Sequence, residues 1–529
     1  MNFILYSDVN DHSISQSLGL PEYSYYFVLK AYRPVLESLG QVHVVASTAE
    51  VDPLYRQLLL QGQDSLFLSF APPHKTPTDL QCPTLCVVAW EFDTIPDQQW
   101  DNDPNQDWSR TLARHARVIT LSSHTARAVR QVLGEDFPVL VLPTPLWERY
   151  AEVRSQFASI PVNPGTTLRI KGFILDSRPL GLSADGLIAP LLEPTEPVAE
   201  VEPPPLTWRR RAFIARHYVR ESLRESTGQT LPRRLFIARH YLREAYREGF
   251  RDLVPERLQA LIARLRPAQP TPVIAPPPEP VEEHPQAVLP DTTQWVETQV
   301  DGVVYVSVFN PDDGRKNWHQ LISAFCWAMR DVEDATLVLK MTQSDLSTYY
   351  VHLLTLLSQL SPFACRVVVM HGYLDDEHYA RLYGAASFYV NASRCEGLCL
   401  PLMEFMSCGK PVIAPAHTAM LDYIDERVAF VVASSHEPAV WPQDSRILFR
   451  TLRHRPDWGS LKTAYQDSYR MAKERPADYQ AMASAASERM RDYCGFTPVQ
   501  QSLAGFLRLA PLTETADAPS VAVAGSASC

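Results

Sequence analysis

Residues 391–415 read NASRCEGLCLPLMEFMSCGKPVIAP, and this stretch decides how the rest of the chain is interpreted. Glu396 lies in a loop that follows a short apolar run, and Glu404 lies eight positions further on, in a segment of helical character. Pro401 suits the first turn of that helix, and Gly409 suits the position just after its end. The N-terminus of the helix should face the Glu396 loop, where unpaired N–H groups favour anions. Two carboxylates beside such a helix end suit a ligand that carries both hydroxyl and phosphate groups.

Short apolar runs alternate with amphipathic segments on both sides of this stretch. Helical patterns such as 26–39 and 125–133 fall between strand candidates, and the same alternation returns from residue 303. It predicts mostly parallel sheets, with ligands beyond the carboxyl ends of the strands. From Pro438 to about Leu509 the chain is predicted to be helical. The strand candidates are Asn2–Tyr6, Val42–Ala46, Ser65–Phe70, Thr84–Ala89, Val118–Leu121, Val139–Leu142, Val303–Phe309, Thr336–Lys340, Arg366–His371, Ser387–Val390, Pro411–Ala414 and Ala429–Val432.

We therefore predict an α/β fold with two Rossmann-like, doubly wound domains that face a central cleft. The first domain is placed at residues 1–162 and the second at residues 296–510. Between them, residues 163–295 are predicted to form proline-rich linkers around a helical insertion, and residues 511–529 to form a disordered tail. Segments so rich in proline cannot bury enough apolar surface to offset the entropy of ordering.

Length and composition exclude several classes of protein. A chain of 529 residues is too long for one core. The net charge of −11 argues against nucleic acid as a partner. Nine cysteines without a CxxC pair indicate a reducing compartment and mostly buried thiols. The sequence shows neither a signal-peptide pattern nor an apolar run of the roughly 20 residues that a membrane span needs. We therefore expect a cytoplasmic protein.

The helical insertion, residues 208–251, contains an internal repeat. FIARHYVRE at 213–221 returns as FIARHYLRE at 236–244. On a helix, Arg216 and Arg220 belong to a basic stripe, and the second copy repeats that stripe. Like charges four residues apart weaken an isolated helix, so such a stripe usually faces an external anion. Three interpretations stay open: a solvated helical hairpin, a contact with an anionic membrane surface, or a contact with an acidic partner protein.

Three more loops at predicted strand ends carry candidate site residues. Arg315 and Lys316 suit a diphosphate, because a guanidinium can bind two phosphate oxygens and a lysine adds a point charge. A solvated loop explains this pair equally well. The loop at 372–374, Gly-Tyr-Leu, would let backbone atoms approach a flat base, with an ordinary loop as the alternative. Trp90 and Glu91 follow a strand of the first domain, where Glu91 is either a cleft residue or a helix cap.

The order of these pieces resembles the nucleotide-sugar half of family 4 glycosyltransferases, which have the GT-B fold. The resemblance runs from about Val303 to Tyr423, and its most specific part, EGLCLPLMEFMSCGKPVIA, is similar to the E-x7-E motif of those retaining enzymes. In the first domain, VVAWEFDTIP, VITLSSHTARAV and VLVLPTP look like the same family's N-terminal domain. The sequence departs from the family pattern at Cys399, where glycine is common, and at Phe309, where many members carry an arginine.

The resemblance implies a role for each matched residue. Glu396 would contact the donor sugar, while Arg315 and Lys316 would neutralise the charge that grows on the leaving diphosphate. These three are the predicted catalytic residues, and Trp90 and Glu91 are assigned to the acceptor side of the cleft. Such enzymes use a nucleotide diphosphate sugar as donor and generally need no metal ion or other cofactor. The predicted donor-binding residues are Gly372, Tyr373, Leu374, Ser393, Gly397, Leu398 and Glu404, the last of which would hydrogen-bond the ribose hydroxyls.

The main hypothesis is a cytoplasmic or peripheral inner-membrane enzyme of polysaccharide biosynthesis. It would transfer a hexose from a nucleotide diphosphate sugar to a polysaccharide or lipid-linked acceptor with retention of anomeric configuration. The alternative is a catalytically inactive GT-B-like binding or assembly protein that acts through its Arg-rich insertion. The two glutamates and the Arg-Lys pair favour the enzyme. The base, sugar, linkage and acceptor depend on loop shapes and stay open.

Overall fold

The computed structural model describes residues 1–9, 23–183, 192–193, 207–227, 231–250, 253, 286–287 and 289–509. The chain divides into two compact units, one formed by residues 1–191 with 288–529 and the other by residues 192–287. Two separate sheets of mainly parallel strands form two Rossmann-like domains within the larger unit. The predicted α/β fold class, with two Rossmann-like, doubly wound domains, is confirmed. Most of the predicted proline-rich linkers and the whole predicted tail lie outside the described residues.

All strands in the sheet of the first domain run parallel to their neighbours. The strands are β1 (Asn2–Ser7), β2 (Gln41–Val44), β3 (Ser65–Phe70), β4 (Thr84–Val88), β5 (Val118–Thr120) and β6 (Val139–Val141). The helices are α1 (Tyr23–Glu37), α2 (Val51–Leu60), α3 (Trp108–His115), α4 (Ser123–Leu133) and α5 (Ala151–Gln156). The strand order is β2-β1-β3-β4-β5-β6. Carboxyl ends of parallel strands share one edge, so the Trp90-Glu91 loop after β4 lies at the edge where ligands bind. The next strand, β7 (Asn163–Asp176), joins the sheet of the second domain.

The smaller unit contains the predicted helical hairpin. Its elements are strand β8 (Leu192–Glu193), helix α6 (Trp208–Ser226), helix α7 (Leu231–Gly249) and strand β9 (Gln286–Ala287). Both copies of the repeat are helical, and Tyr241 Oη of α7 donates a hydrogen bond to Glu225 Oε2 of α6 at 2.8 Å. Ile237 of α7 is buried, whereas Trp208 and Phe213 of α6 are more than half exposed. Across the described ranges of the chain, no helix combines the length and the apolar character needed to cross a bilayer.

Seven strands form the sheet of the second domain, and only β7 is antiparallel to its neighbours. The others are β10 (Trp295–Phe309), β11 (Ala335–Met341), β12 (Arg366–Tyr373), β13 (Phe388–Val390), β14 (Val412–Pro415) and β15 (Ala429–Val432). The intervening helices are α8 (Trp318–Ala328), α9 (Tyr350–Leu360), α10 (Asp376–Ala385) and α11 (Leu400–Ser407). Val304 and Val306 pack into one core and Tyr305 into another. Both faces of this sheet are therefore covered, as parallel sheets require.

Strand β7 forms an antiparallel ribbon with the first half of β10, inside the segment predicted to be a linker. Its second half then pairs with the edge of β12. Leu168 and Ile170 are almost fully buried, while Arg169 and Lys171 are exposed. This alternation is a strand signal. The prediction grouped these residues with the proline-rich stretch 190–205 that follows them, and the strand signal was therefore missed.

A β-hairpin, β16 (Ser434–Val440) and β17 (Phe449–Pro456), occupies the start of the region predicted to be helical. The prediction is wrong for these residues and correct for the helices that follow. These helices are α12 (Trp458–Glu474), α13 (Pro476–Cys494) and α14 (Phe496–Leu507). The hairpin forms contacts with the other domain, and local periodicity carries no information about contacts that distant in sequence.

The β-hairpin of β16 and β17 connects the two domains of the larger unit. Asp93 Oδ1 accepts a hydrogen bond from Thr451 Oγ1 at 2.7 Å. Trp441 Nε1 donates to the Thr94 carbonyl at 3.2 Å, and the ring of Trp441 stacks on that of Trp100 at 6.1 Å. We call this contact, between residues 434–456 and 93–101, the interdomain clasp. It fixes one side of the space between the two sheets.

Candidate active site

A cavity of about 1800 Å³ lies between the ligand-binding edges of the two sheets. Its walls include the loop after β4, the loop after β10, the loop after β13 and the first two turns of α11. Three of these four segments contain residues that the sequence predicted as catalytic or acceptor-side. The fourth contains Glu404, which was predicted to bind the donor.

Glu396 lies at the centre of a hydrogen-bonded network and is only 3% exposed. Its Oε1 accepts hydrogen bonds from Lys316 Nζ at 2.7 Å and from Ser393 Oγ at 2.6 Å. Asn391 Nδ2 approaches the same oxygen at 3.4 Å, and Arg315 Nη1 lies 3.4 Å from Oε2. The structure therefore brings together four of the predicted site residues and adds Asn391 to them.

Two of the three carboxylates that contact Arg315, those of Glu396 and Glu91, have opposite pKa shifts. Burial by itself raises the pKa of Glu396, but the charges of Lys316 and Arg315 outweigh burial and lower it to about 2. Glu91, from the first domain, lies 3.5 Å from Arg315 Nη1. Burial raises the pKa of Glu91, although the charge of Arg315 opposes that rise. Glu396 is therefore ionised throughout the neutral range and accepts hydrogen bonds, whereas Glu91 is better suited to taking up a proton.

The Arg315-Lys316 loop is rigidly held by its own sequence. Gly314–Lys316 form one turn of 3₁₀ helix, and Asp313 accepts hydrogen bonds from Arg315 N at 3.2 Å and Arg315 Nε at 2.7 Å. Asn317 follows with a left-handed φ of 54°, a conformation that asparagine tolerates better than most residues. Its side chain donates to the Ala392 carbonyl at 3.1 Å, which ties this loop to the Glu396 loop.

Helix α11 has the boundaries that the sequence predicts. Pro401 lies in its first turn, and Gly409 follows its last turn with a φ of 76°. Cys399, at the position where glycine is common in the family, has a left-handed φ of 64°. A residue with a Cβ costs about 1–2 kcal/mol in this conformation. The buried Sγ of Cys399 accepts a hydrogen bond from Asn391 Nδ2 at 3.1 Å, a contact that glycine could not make.

The other predicted residues of this region also line the cavity. Glu404 Oε2 accepts a hydrogen bond from Tyr383 Oη at 3.0 Å. A Cβ on Gly397 would lie only 3.2 Å from Trp90 N, so Gly397 allows the two domains to approach closely. Trp90 borders the cavity, but its ring packs against Trp108 at 4.4 Å. Leu398 borders the cavity while its side chain joins the main core.

The predicted base-binding loop lies elsewhere. Gly372 and Tyr373 belong to β12 and pair with Gly172 and Lys171 of β7, and the side chain of Leu374 is buried in the core. None of the three belongs to the described residues that line the cavity. Residues 163–176 were predicted to be part of a linker, so the strand that covers this edge was not expected.

Sequence reasoning missed several residues of the site. Asn391, the first residue after β13, and Asp313, two residues before Arg315, are polar residues in loops at strand ends, and that placement was a usable signal. Tyr383 and Arg149 also line the cavity. They come from a helix face and from a turn of the first domain, and only the folded chain places them beside Glu404.

Residues 301–443 match the family model described as Glycosyl transferases group 1. That range contains both glutamates and the Arg-Lys pair, so the part of the second domain that carries them is similar to group 1 glycosyl transferases.

Among individual proteins, the D-inositol 3-phosphate glycosyltransferase of Salinispora arenicola (strain CNS-205) is 35% identical over 91 residues. This match covers 17% of the present chain and 19% of that relative, so the chain matches about a fifth of the relative's length. Among solved structures, Anabaena HepE in complex with UDP and glucose has 12% identity and a TM-score of 0.43, covering 96% of this chain and 99% of that one. The sucrose-phosphate synthase of Thermosynechococcus elongatus has 13% identity and a TM-score of 0.44, covering 96% and 98%.

Proposed function

We propose that the protein is a retaining hexosyltransferase of family 4 type. It transfers a hexose from a nucleotide diphosphate sugar to a polysaccharide or lipid-linked acceptor. The observation that carries this proposal is the convergence of Lys316 and Arg315 on the ionised carboxylate of Glu396, inside a large cavity between two domains. The group 1 family match over the same residues supports it.

In the proposed reaction the bond between the anomeric carbon and the diphosphate oxygen breaks. A bond from the acceptor hydroxyl oxygen forms on the same face of the sugar, and the hydroxyl proton passes to Glu91. Arg315 and Lys316 offset the negative charge that the diphosphate gains, so that no metal ion is required for this purpose. Glu396 orients the sugar as a hydrogen-bond acceptor and holds Lys316 in place. Glu404 binds the ribose hydroxyls.

Ligand binding and turnover together test this proposal. Calorimetry with UDP, GDP and their sugars should show binding of at least one nucleotide. Lys316→Ala should reduce kcat by about 100-fold or more, the usual effect of losing one group that stabilises developing charge. Lys473→Ala is the matched control, since Lys473 forms a surface ion pair with Asp334 at 2.6 Å outside the cavity lining. If no nucleotide binds, the alternative of an inactive GT-B-like binding protein replaces the enzyme.

We further propose that the helical hairpin attaches the protein to an anionic membrane surface, at the inner face of the membrane. Val219 and Leu223 on α6 are 60% and 67% exposed, and Arg216 and Arg220 are exposed beside them. At 100° per residue these four residues share one face, so apolar and basic groups meet the solvent together. A helix lying in a membrane interface has this combination. An acidic partner protein would not require the exposed apolar residues.

Vesicle sedimentation tests the membrane proposal. The protein should bind phosphatidylserine vesicles more strongly than phosphatidylcholine vesicles, and binding should weaken as salt rises. Removing residues 208–251 should abolish vesicle binding without abolishing transfer to a soluble acceptor. Equal sedimentation of the deletion variant would reject the proposal, and binding to neither type of vesicle would favour the acidic protein partner.

A further inference from the structure

Strand β7 changes where the base of a bound nucleotide can lie. The edge of β12 at Gly372 is occupied, because Gly372 pairs with Gly172 and a Cβ on Gly372 would lie 2.3 Å from the Lys171 carbonyl. Residues 165–167 at the start of β7 instead line the cavity. Strand β7 thus covers the edge of β12 at Gly372, and its first residues form part of the cavity wall.

An aromatic cluster lies directly beside Glu404. Tyr383 donates a hydrogen bond from its hydroxyl to Glu404, and its ring centroid lies 5.6 Å from that of Tyr379 and 5.3 Å from that of Tyr150. Tyr150 and Tyr383 are almost fully buried, whereas Tyr379 is half-buried and lines the cavity. A flat ring next to the predicted ribose site suits a nucleobase, because every base has a face that stacks on an aromatic ring.

Polar groups surround this cluster. Arg149 is exposed in the cavity, and its guanidinium lies 5.9 Å from the Tyr150 ring centroid. Among the described residues, Arg149 forms no ion pair within 4 Å, unlike Arg315. Asp376, at the first position of α10, and Thr167 of β7 also line the cavity with exposed side chains. Donors and acceptors are therefore both available for the edge of a base.

We propose that Tyr379, Arg149, Asp376 and Thr167 form a nucleobase subsite, which replaces the Gly372 loop in this protein. This inference rests on the proposed function, since it concerns the same nucleotide diphosphate donor. Tyr379 stacks on the base, Arg149 and Thr167 donate hydrogen bonds to its carbonyl oxygens, and Asp376 accepts from its ring N–H. The diphosphate then extends past Glu404 towards Arg315 and Lys316.

Calorimetric titration of the full-length protein with UDP, GDP and inorganic pyrophosphate tests the subsite. Tyr379→Ala and Arg149→Ala should each weaken binding of the nucleotide by about fivefold or more. Neither should change binding of pyrophosphate, which has no base. Tyr379→Phe should bind the nucleotide like the wild type, because the ring is kept. Arg56→Ala, an exposed arginine of α2, is the matched control for Arg149→Ala.

Each outcome has a separate meaning. If the wild type binds no nucleotide, the proposed function itself fails. If the wild type binds a nucleotide and both Tyr379→Ala and Arg149→Ala bind it equally well, only the subsite is overturned. If these variants lose affinity for pyrophosphate to the same extent, the residues act on the fold of the site and the subsite is again overturned. Arg149→Ala keeps the test valid should Tyr379→Ala fail to fold, since Arg149 is exposed.

Discussion

Replacing Glu396 with glutamine should destabilise the protein at neutral pH by an amount that the structure defines. Glutamine has the shape of the protonated carboxyl group, so the variant removes only the charge. The pKa of Glu396 falls from 4.5 to about 2. At about 1.4 kcal/mol per pKa unit, the ionised form therefore contributes about 3 kcal/mol of stability at pH 7.

Thermal unfolding followed by tryptophan fluorescence measures this loss. A domain of 150–250 residues loses about 2–4 °C of Tm per kcal/mol, so Glu396→Gln should lower the midpoint by about 6–12 °C at pH 7. The folded-state pKa is depressed, so the contribution is complete above about pH 4.5 and is lost as the pH falls towards about 2. The difference between the two proteins should therefore stay constant from pH 7.5 to about 5.5 and shrink below about pH 4.5.

An exposed glutamate provides the control for this prediction. Glu377 forms an ion pair with Arg381 on α10, but its side chain is 72% exposed. Glu377→Gln should shift the midpoint by no more than about 2–4 °C, because surface ion pairs contribute about 0–1 kcal/mol. A Glu396→Gln midpoint within about 2 °C of the wild type would refute the reasoning, as would a difference that grows on acidification.

Three further predictions concern other parts of the larger unit. Lys410 is fully buried, its Nζ has no hydrogen-bond partner within the described part of the chain, and burial lowers its pKa to about 8. Lys410→Met should raise the Tm by several degrees at pH 7, and this gain should shrink as the pH rises from about 8 to about 10.5, because the unfolded lysine holds its proton more tightly. Gly397→Ala places a Cβ 3.2 Å from Trp90 N, across the approach of the two domains. The kcat of this variant should therefore fall while its Tm changes by less than about 4 °C, and unchanged turnover would show that the domains need not approach so closely. Trp441→Ala removes the hydrogen bond to Thr94 and the ring stacking of the interdomain clasp. Small-angle scattering should then give a larger radius of gyration for the variant than for the wild type, and an unchanged value would argue against a clasp that holds the domains.

The donor half of the site could be predicted because its signals are local. The spacing of Glu396 and Glu404, with Pro401 and Gly409 at the helix ends, fixes a loop and a short helix within 14 residues. The Arg315-Lys316 loop is likewise determined by its own turn residues. For such segments the order of elements is enough to bring the side chains to one sheet edge.

The rest depended on contacts between distant segments. Strand β7 pairs with β12 across roughly 200 positions of sequence, and this pairing removed the Gly372 loop from the cavity. The clasp joins residues more than 300 positions apart, and a helical prediction stood where its hairpin forms. The approach of Arg149 to Glu404 likewise requires both domains in place. No local pattern of hydrophobic residues contains information on these pairings.

The clasp has a thermodynamic consequence for ligand affinity. Asp93 and Trp441 connect the domains at one side of the cleft, and the Leu146 N–H donates to the Cys494 carbonyl at 3.1 Å in the helices after β17. Because two separate attachments hold the domains, we expect the arrangement that places Glu91 beside Arg315 to dominate before any ligand binds. When only a fraction of the molecules is competent to bind, the apparent affinity is the intrinsic affinity multiplied by that fraction. A cleft assembled in advance avoids that loss, and binding should then proceed with little change in the protein's dimensions.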